Sequence, residues 1–279
     1  MAKKYSLAYL TVPGTSPAEQ IRIAKECGYD FVSLRTIPMH LPGEPEFLLH
    51  RDPALFREVK DALKEYGMKV NDIELARIRP DLDIKEYEPA LEKAAELGAT
   101  DLLSSIWTRD KSFYADSMGK LCEMAKGYGL CVDLEFLPWA GVRNLQEGIT
   151  LLEHLRCGNL FLMVDTLHAG RAGVTAEELK RADKNYFRFM HLCDGPAGPD
   201  GDPVLDNIKD DPMLYTAREA RYYPGEGIMD IAAMVEALPD TVLSIELPNL
   251  ERIREFGVQG HALRCLESTK LYLSAHGIE

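Results

Sequence analysis

Short apolar stretches and longer amphipathic stretches alternate along the chain from end to end. The first apolar run, Tyr5–Thr11 (YSLAYLT), reads as a strand. It is followed by Ser16-Pro17-Ala18-Glu19: an N-cap serine, a proline at the first helical position and a reciprocal glutamate at the third. The helix so opened runs to Cys27-Gly28, where glycine closes it. The same alternation then repeats. Strand Tyr29–Arg35 leads to a helix from Asp52-Pro53 through Tyr66, and strand Met68–Leu75 to helix Lys85–Leu97. Strand Thr100–Ile106 precedes helix Tyr114–Tyr128, and strand Leu130–Phe136 precedes helix Leu145–Arg156. Strand Leu160–Asp165 is followed by helix Thr175–Ala182, strand Phe187–Leu192 by helix Ile228–Leu238, and strand Val242–Leu247 by helix Gly260–His276.

Alternation of this kind predicts parallel strands joined by crossover helices. Eight strand–helix pairs within 279 residues predict a closed (β/α)8 TIM barrel, with residues 1–279 as a single domain, in preference to a doubly wound open sheet. No interdomain linker, repeat or low-complexity tract interrupts the pattern. The longest irregular segment is Asp194–Tyr223, rich in Gly, Pro and Asp; a loop this long, leaving the rim after the seventh strand, is expected to cover substrate.

Composition narrows the partners. The 46% hydrophobic content supports a large core, and the 28% charged content is that of a globular protein. A net charge of -13 repels phosphate backbones and anionic headgroups, so neither nucleic acid nor a membrane surface is expected as a partner. No basic run is longer than two residues, as in Lys3-Lys4. The six cysteines have no C-x-x-C spacing and read as reduced, mostly buried side chains. The stretch Met1–Tyr5 lacks the apolar run of a signal peptide and no stretch is long enough to span a membrane, so a cytoplasmic location is the expectation.

Candidate chemistry sits at the exits of the last four strands, in Asp133-Leu134-Glu135, Asp165-Thr166-Leu167-His168, His191-Leu192-Cys193-Asp194 and Ile245-Glu246-Leu247-Pro248. Glu135, Asp165, His191 and Glu246 form a hard-leaning ligand set, suited to Mn²⁺, with Mg²⁺ or Co²⁺ also compatible. Each residue has an ordinary explanation by itself. Glu135 could be a strand-end acid, Asp165 an Asx cap of the next turn, His191 a satisfied core histidine. Glu246 is harder to explain away, since an acid within an apolar strand is costly to bury unpaired. Together, four such groups on adjacent strands would repel unless a cation neutralised them. His168, past the strand end on a loop, is expected to face substrate. Cys193 is left out because the period-two rule points it away from His191. A divalent ion holding a carbonyl and its neighbouring hydroxyl would acidify the C–H between them and favour an enediolate. Glu135 and Glu246 could then remove and return the proton as the catalytic pair.

These residues resemble the xylose isomerase-like barrel superfamily, in its sugar phosphate isomerase/epimerase branch. The resemblance runs through Ala24–Arg35, the Glu135 strand, Asp165-Thr166-Leu167-His168, His191 with Asp194, Pro224-Gly225-Glu226-Gly227 and Ile245-Glu246. It implies a metal-dependent keto-sugar isomerase or epimerase with a small carbohydrate as substrate. It also implies one divalent metal on Glu135, Asp165, His191 and Glu246, with His168 and either Arg218 or Arg221 contacting substrate oxygens. Relatives of this kind imply a homo-oligomer, dimer or tetramer. Other arms of the superfamily keep a dehydratase or lyase acting on a keto-sugar, keto-cyclitol or 3-oxo-glycoside open, and a non-catalytic sugar-binding subunit more remotely. The apurinic-site endonucleases fit poorly, because strands two to four end without histidine and the chain is acidic. Arg35, where an acid is expected, and Trp107 depart from the ketose-epimerase pattern. Both are candidate substrate contacts, and Arg35 hints at an acidic substrate or, equally, a rim ion pair.

Overall fold

Ser16 accepts the backbone N–H of Glu19 at 3.2 Å and Pro17 begins α1 (Pro17–Cys27), so the first capping signal folds as its residues dictate. The computed structural model describes residues 2–41, 43–198 and 212–279. Its strands are β1 (Tyr5–Leu7), β2 (Phe31–Arg35), β3 (Lys69–Ile78), β4 (Asp101–Ile106), β5 (Cys131–Glu135), β6 (Leu160–Asp165), β7 (Phe187–Leu192) and β8 (Val242–Ile245). All neighbours are parallel, and β1 pairs with both β2 and β8, closing a (β/α)8 barrel. The helices are α1, α2 (Pro53–Tyr66), α3 (Glu88–Glu96), α4 (Lys111–Gly127), α5 (Leu145–Leu155), α6 (Thr166–Arg171), α7 (Ala176–Arg181), α8 (Pro212–Glu219), α9 (Ile231–Ala237) and α10 (Leu250–Ala275).

Several boundaries move for physical reasons. Tyr9–Thr11, expected to continue the first strand, is a 3₁₀ turn; Thr11 Oγ1 donates to the carbonyl of Ile245 and accepts the N–H of Leu247, tying the turn to the end of β8. The last helix starts ten residues early, capped by Asn249, because it continues across a break at Gly257 (φ 70°). The six-residue α6 follows β6 directly and is too short to show a helical period. The segment 194–223, expected to be irregular, contains α8; its residues 199–211 lie outside the described ones.

Period two along the strands stacks the barrel interior in levels. Arg35, Glu74, Glu135 and Glu246 stand at the C-terminal rim, and two residues below them on the same strands are Ser33, Asp72, Asp133 and Ser244. Leu75, Leu103, Met163 and Phe189 fill the remaining interior with Met39. The outward faces of the strands, such as Val132, Leu134 and Leu162, pack beneath the helices in the main core. Burying each such side chain contributes roughly 1.5–3 kcal/mol. Among the described residues no helix is long and apolar enough to cross a membrane.

Candidate metal centre and active site

Glu135 and Asp165 are the last residues of β5 and β6, His191 is next to last in β7, and Glu246 lies one residue past β8. The predicted eighth strand, extended to Leu247, therefore stops earlier, and Glu246 donates its N–H to Leu192 O at 3.3 Å. The closed barrel brings all four to one rim, with one ligand atom from each within 4.8 Å of the others, and all four are buried. His191 is fully buried, yet neither ring nitrogen has a hydrogen-bond partner; Nδ1 lies 3.3 Å from Glu246 Oε2 without hydrogen-bonding alignment. Three carboxylates around an imidazole with unpartnered nitrogens form a donor set that fits a hard or borderline divalent cation.

Asp165 satisfies both of the readings its sequence allowed. Its Oδ1 accepts the N–H groups of Leu167 and His168, at 2.8 and 3.0 Å, and so caps α6. Its Oδ2 faces the centre, where Arg221 Nη1 meets it at 2.5 Å. His168 is thus not on a loop but in the first turn of α6, because the aspartate that ends β6 also nucleates a helix. Its Nε2 stands 3.9 Å from Glu135 Oε1, and its ring meets the Trp139 ring edge-on at 4.9 Å.

Arg221 occupies the middle of the cluster. Besides Asp165, its Nη2 lies 2.7 Å from Glu246 Oε2, and Nε donates to Ala217 O at 2.7 Å. Nη1 also reaches Cys193 Sγ at 3.2 Å. Cys193 stays outside the ligand group, as expected, but parity is not the reason: residues two apart on a strand share a face, and Cys193 instead lies past the end of β7 with its sulfur against Arg221. The guanidinium supplies one of the cations that the four charges were expected to require. Burial works against ionising Glu246, but His191 and Arg221 hold it well below the usual carboxylate range. Burial and the charges of Glu246 and Asp165 push Glu135 well above that range. Burial, reinforced by Arg221, lowers His168 to about 4, so its imidazole is neutral near pH 7.

The remaining candidates line a cavity of about 60 Å³ opening from these residues. Trp107 follows β4 and donates its indole N–H to Ser105 Oγ at 2.9 Å. Arg35 is buried between Glu44 (2.7 Å) and Glu74 (3.1 Å), with its guanidinium over the Tyr9 ring, so the rim ion pair is the arrangement found. Arg218 lines the cavity from α8. Of the charged and aromatic lining residues, two escaped the sequence reading, Glu74 and Trp139. Glu74 carries the signal that marked Glu246, an acid inside an apolar strand, whereas Trp139 sits in a loop where no period could mark it.

Glycines seat this rim. The loop after β5 crosses the end of β4 so closely that a Cβ at Gly141 would lie 2.0 Å from Thr108 O. In Pro224-Gly225-Glu226-Gly227, the carboxylate of Asp194 accepts the N–H groups of Gly195, Gly225, Gly227 and Met229, and a Cβ at Gly227 would lie 2.3 Å from Asp194 Oδ1. The motif pins the chain just beyond Arg221 and adds no ligand to the cluster.

Comparison with known proteins agrees with this architecture. The family model described as xylose isomerase-like TIM barrel matches residues 21–268. The inosose isomerase of Bacillus velezensis is 22% identical over 255 residues, which cover 85% of each chain. Among solved structures, the IOLI protein with a binding zinc atom aligns with a TM-score of 0.79 at 20% identity over 98% of both chains. The apo form of 3-keto-D-glucoside 4-epimerase, YcjR, from E. coli aligns with a TM-score of 0.69 at 19% identity, over 94% of this chain and 99% of the other. The chain belongs to the xylose isomerase-like TIM barrel family.

Proposed function

We propose that the protein is a divalent-metal-dependent isomerase or epimerase of a small keto-sugar, moving a proton at the carbon beside a carbonyl. The observation that carries this reading is the buried convergence of Glu135, Asp165, His191 and Glu246 within 4.8 Å at the catalytic face of a barrel. The names of the similar proteins, an inosose isomerase and a 3-keto-D-glucoside 4-epimerase, support the same class of chemistry.

Those four residues would hold the metal, with Mn²⁺ the best match to a carboxylate-rich set. When bound, such an ion supplies a Lewis acid that polarises a carbonyl and the hydroxyl beside it. The chain does the rest. Glu135 and Glu246 project from β5 and from beyond β8, so a sugar between them presents opposite faces of one carbon to two carboxyl groups. One takes the proton and the other returns one, which inverts that carbon or relocates the carbonyl. Neutral His168 donates a hydrogen bond to a substrate oxygen from α6, held by Trp139 and the Asp165 cap. Arg221 fixes Asp165 and Glu246 and keeps both ionised. The apolar walls of Leu10, Leu137 and Leu214 exclude water from the reacting carbon.

The test is exchange of carbon-bound hydrogen with solvent. Protein loaded with Mn²⁺ and incubated with a panel of ketoses and keto-glycosides in deuterated water should incorporate deuterium beside the carbonyl of at least one of them. Inertness across the panel by a protein that has bound the metal would overturn the reading.

A further inference from the structure

Three arginines line the cavity: Arg35, Arg218 and Arg221. Two are already matched by acids, Arg35 by Glu44 and Glu74, and Arg221 by Asp165 and Glu246. Among the described residues Arg218 makes no ion pair and no hydrogen bond. It stands in the last turn of α8, and Leu214 and Ala217 of the same helix line the cavity too; that i, i+3, i+4 spacing turns one helical face, with Arg218 on it, toward the site.

Its charged surroundings do not satisfy it. Burial and the charge of Arg35 push the Arg218 guanidinium below its usual range, and among the described residues the acids that pull the other way are Glu44, already taken by Arg35, and Glu219. Behind it Arg77 is buried, gives one N–H to Met39 O at 2.8 Å, and is repelled by Arg79, Arg218 and Arg35 in turn. Among the described residues, a chain of net charge -13 thus leaves a positive side chain without a dedicated acid at one wall of its cavity. A half-buried guanidinium whose N–H groups meet no acceptor among the described residues is matched by an oxyanion, which can accept two of them in parallel.

We infer that Arg218 selects a keto-sugar bearing an oxyanion, a carboxylate or a phosphate, held at the α8 wall while the carbonyl end faces Glu135 and Glu246. The inference deepens the proposed reaction and rests on it for what the sugar undergoes.

Calorimetric titration of the Mn²⁺-loaded protein with D-fructose, D-fructuronate and D-fructose 6-phosphate tests it, with deuterium exchange followed on the same samples. At least one anionic ketose should bind about ten- to a hundredfold more tightly than fructose, the range of a charge-assisted hydrogen bond. Whichever of the two shows the preference identifies a carboxylate or a phosphate as the group received. Arg218→Gln should bring that ratio close to one, Arg218→Lys, which keeps the charge but not the fork, should keep part of it, and Arg57→Gln, at an exposed arginine on α2, should leave it intact. Equal affinities, no binding of either anion, or a preference that survives Arg218→Gln would overturn the inference. Exchange without anion preference would sink the Arg218 assignment and spare the reaction. Anion preference lost in Arg218→Gln, with no exchange in any sugar, would sink the reaction and spare the anion site.

Discussion

The barrel interior buries acids at two levels, and they reach opposite electrical solutions. At the rim, Glu135, Asp165 and Glu246 crowd around His191 and Arg221, and two of the three carboxylates are held ionised by those cations. Two residues lower along the strands, Asp72 accepts from Ser33 Oγ at 2.5 Å and Asn71 Nδ2 at 2.8 Å, within a chain of serines, Ser6, Ser33 and Ser244. Asp133 is fully buried with neither oxygen hydrogen-bonded, and burial together with nearby Asp101 pushes its carboxyl well above the usual range. Burial thus shifts Asp72 and Asp133 toward their protonated forms. Burial of a carboxylate alone therefore does not point to a metal; what sets the rim apart is an imidazole with unpartnered nitrogens among carboxylates two of which are held ionised.

The sharpest way to break this contrast is to neutralise one acid at each level. Glu246→Gln should lower deuterium exchange about 10²- to 10⁴-fold, the contribution of a positioned general base or acid. Asp133→Asn, two residues below Glu135, should exchange close to the wild-type rate, because burial and Asp101 already favour its uncharged form. Comparable losses in both variants would mean that the levels act as one unit.

Next in size is a pH effect seated at the lower level. Burial, with the charge of Glu74 adding to it, raises the Asp72 carboxyl to about 7 against the charge of His191 and the hydrogen bonds of Ser33 and Asn71. In the unfolded chain the same group ionises near 4, so between those values the folded protein holds a proton that the unfolded chain releases. Stability from this group is then fully present below pH 4, falls by roughly 1.4 kcal/mol per pH unit as pH rises, and levels off above 7. Asp72→Asn cannot release that proton. Urea titrations from pH 4 to 8 should show wild type losing up to roughly 4 kcal/mol relative to the variant, and parallel curves would show Asp72 to be ionised throughout.

The rim should respond to metal where the lower level does not. Mn²⁺ at a hundred times its dissociation constant should stabilise the protein by about 2.7 kcal/mol through preferential binding to the folded state. His191→Ala should abolish the accompanying rise in melting temperature and Asp133→Asn should keep it. Retention of the rise in His191→Ala would place the ion elsewhere.

How much of this the chain displayed in advance depends on how local each cause is. The eight-fold alternation and the Ser16-Pro17-Ala18-Glu19 cap are local, and they fold as read. Glu135, Asp165, His191 and Glu246 were visible because each interrupts an apolar strand with a metal-capable group. Glu74 interrupts β3 in the same way, but its part is set by Arg35 across the neighbouring strand, a pairing no spacing reveals. Arg218 and Arg221 could not be separated in sequence, since the helix that divides them lies in a run rich in Gly, Pro and Asp. In the fold, Arg221 follows α8 and turns into the cluster, while Arg218 stays on the helix facing the cavity wall. Trp139 owes its place to a loop pressed against β4 by Gly141, a contact made only after the barrel closes.

The smallest effect is expected where the lower level does keep an ion pair. Arg188 grips both oxygens of Asp101, with Nη2 at 3.2 Å from Oδ2, and its guanidinium lies 5.0 Å from the centre of the Phe161 ring. Its side chain is 36% exposed, so solvent screens the charge and the fork matters more than the sign. Arg188→Lys keeps the charge but loses the two-pronged contact and the flat packing over Phe161. It should cost about 1 kcal/mol, seen as a lower urea midpoint with an unchanged slope. Deuterium exchange and the Mn²⁺-dependent stabilisation should stay as in wild type, because neither Asp101 nor Arg188 touches the rim cluster. A loss of several kcal/mol, or any loss of metal response, would show that the charges of the two levels depend on each other through the interior, and the separation drawn between them would fail.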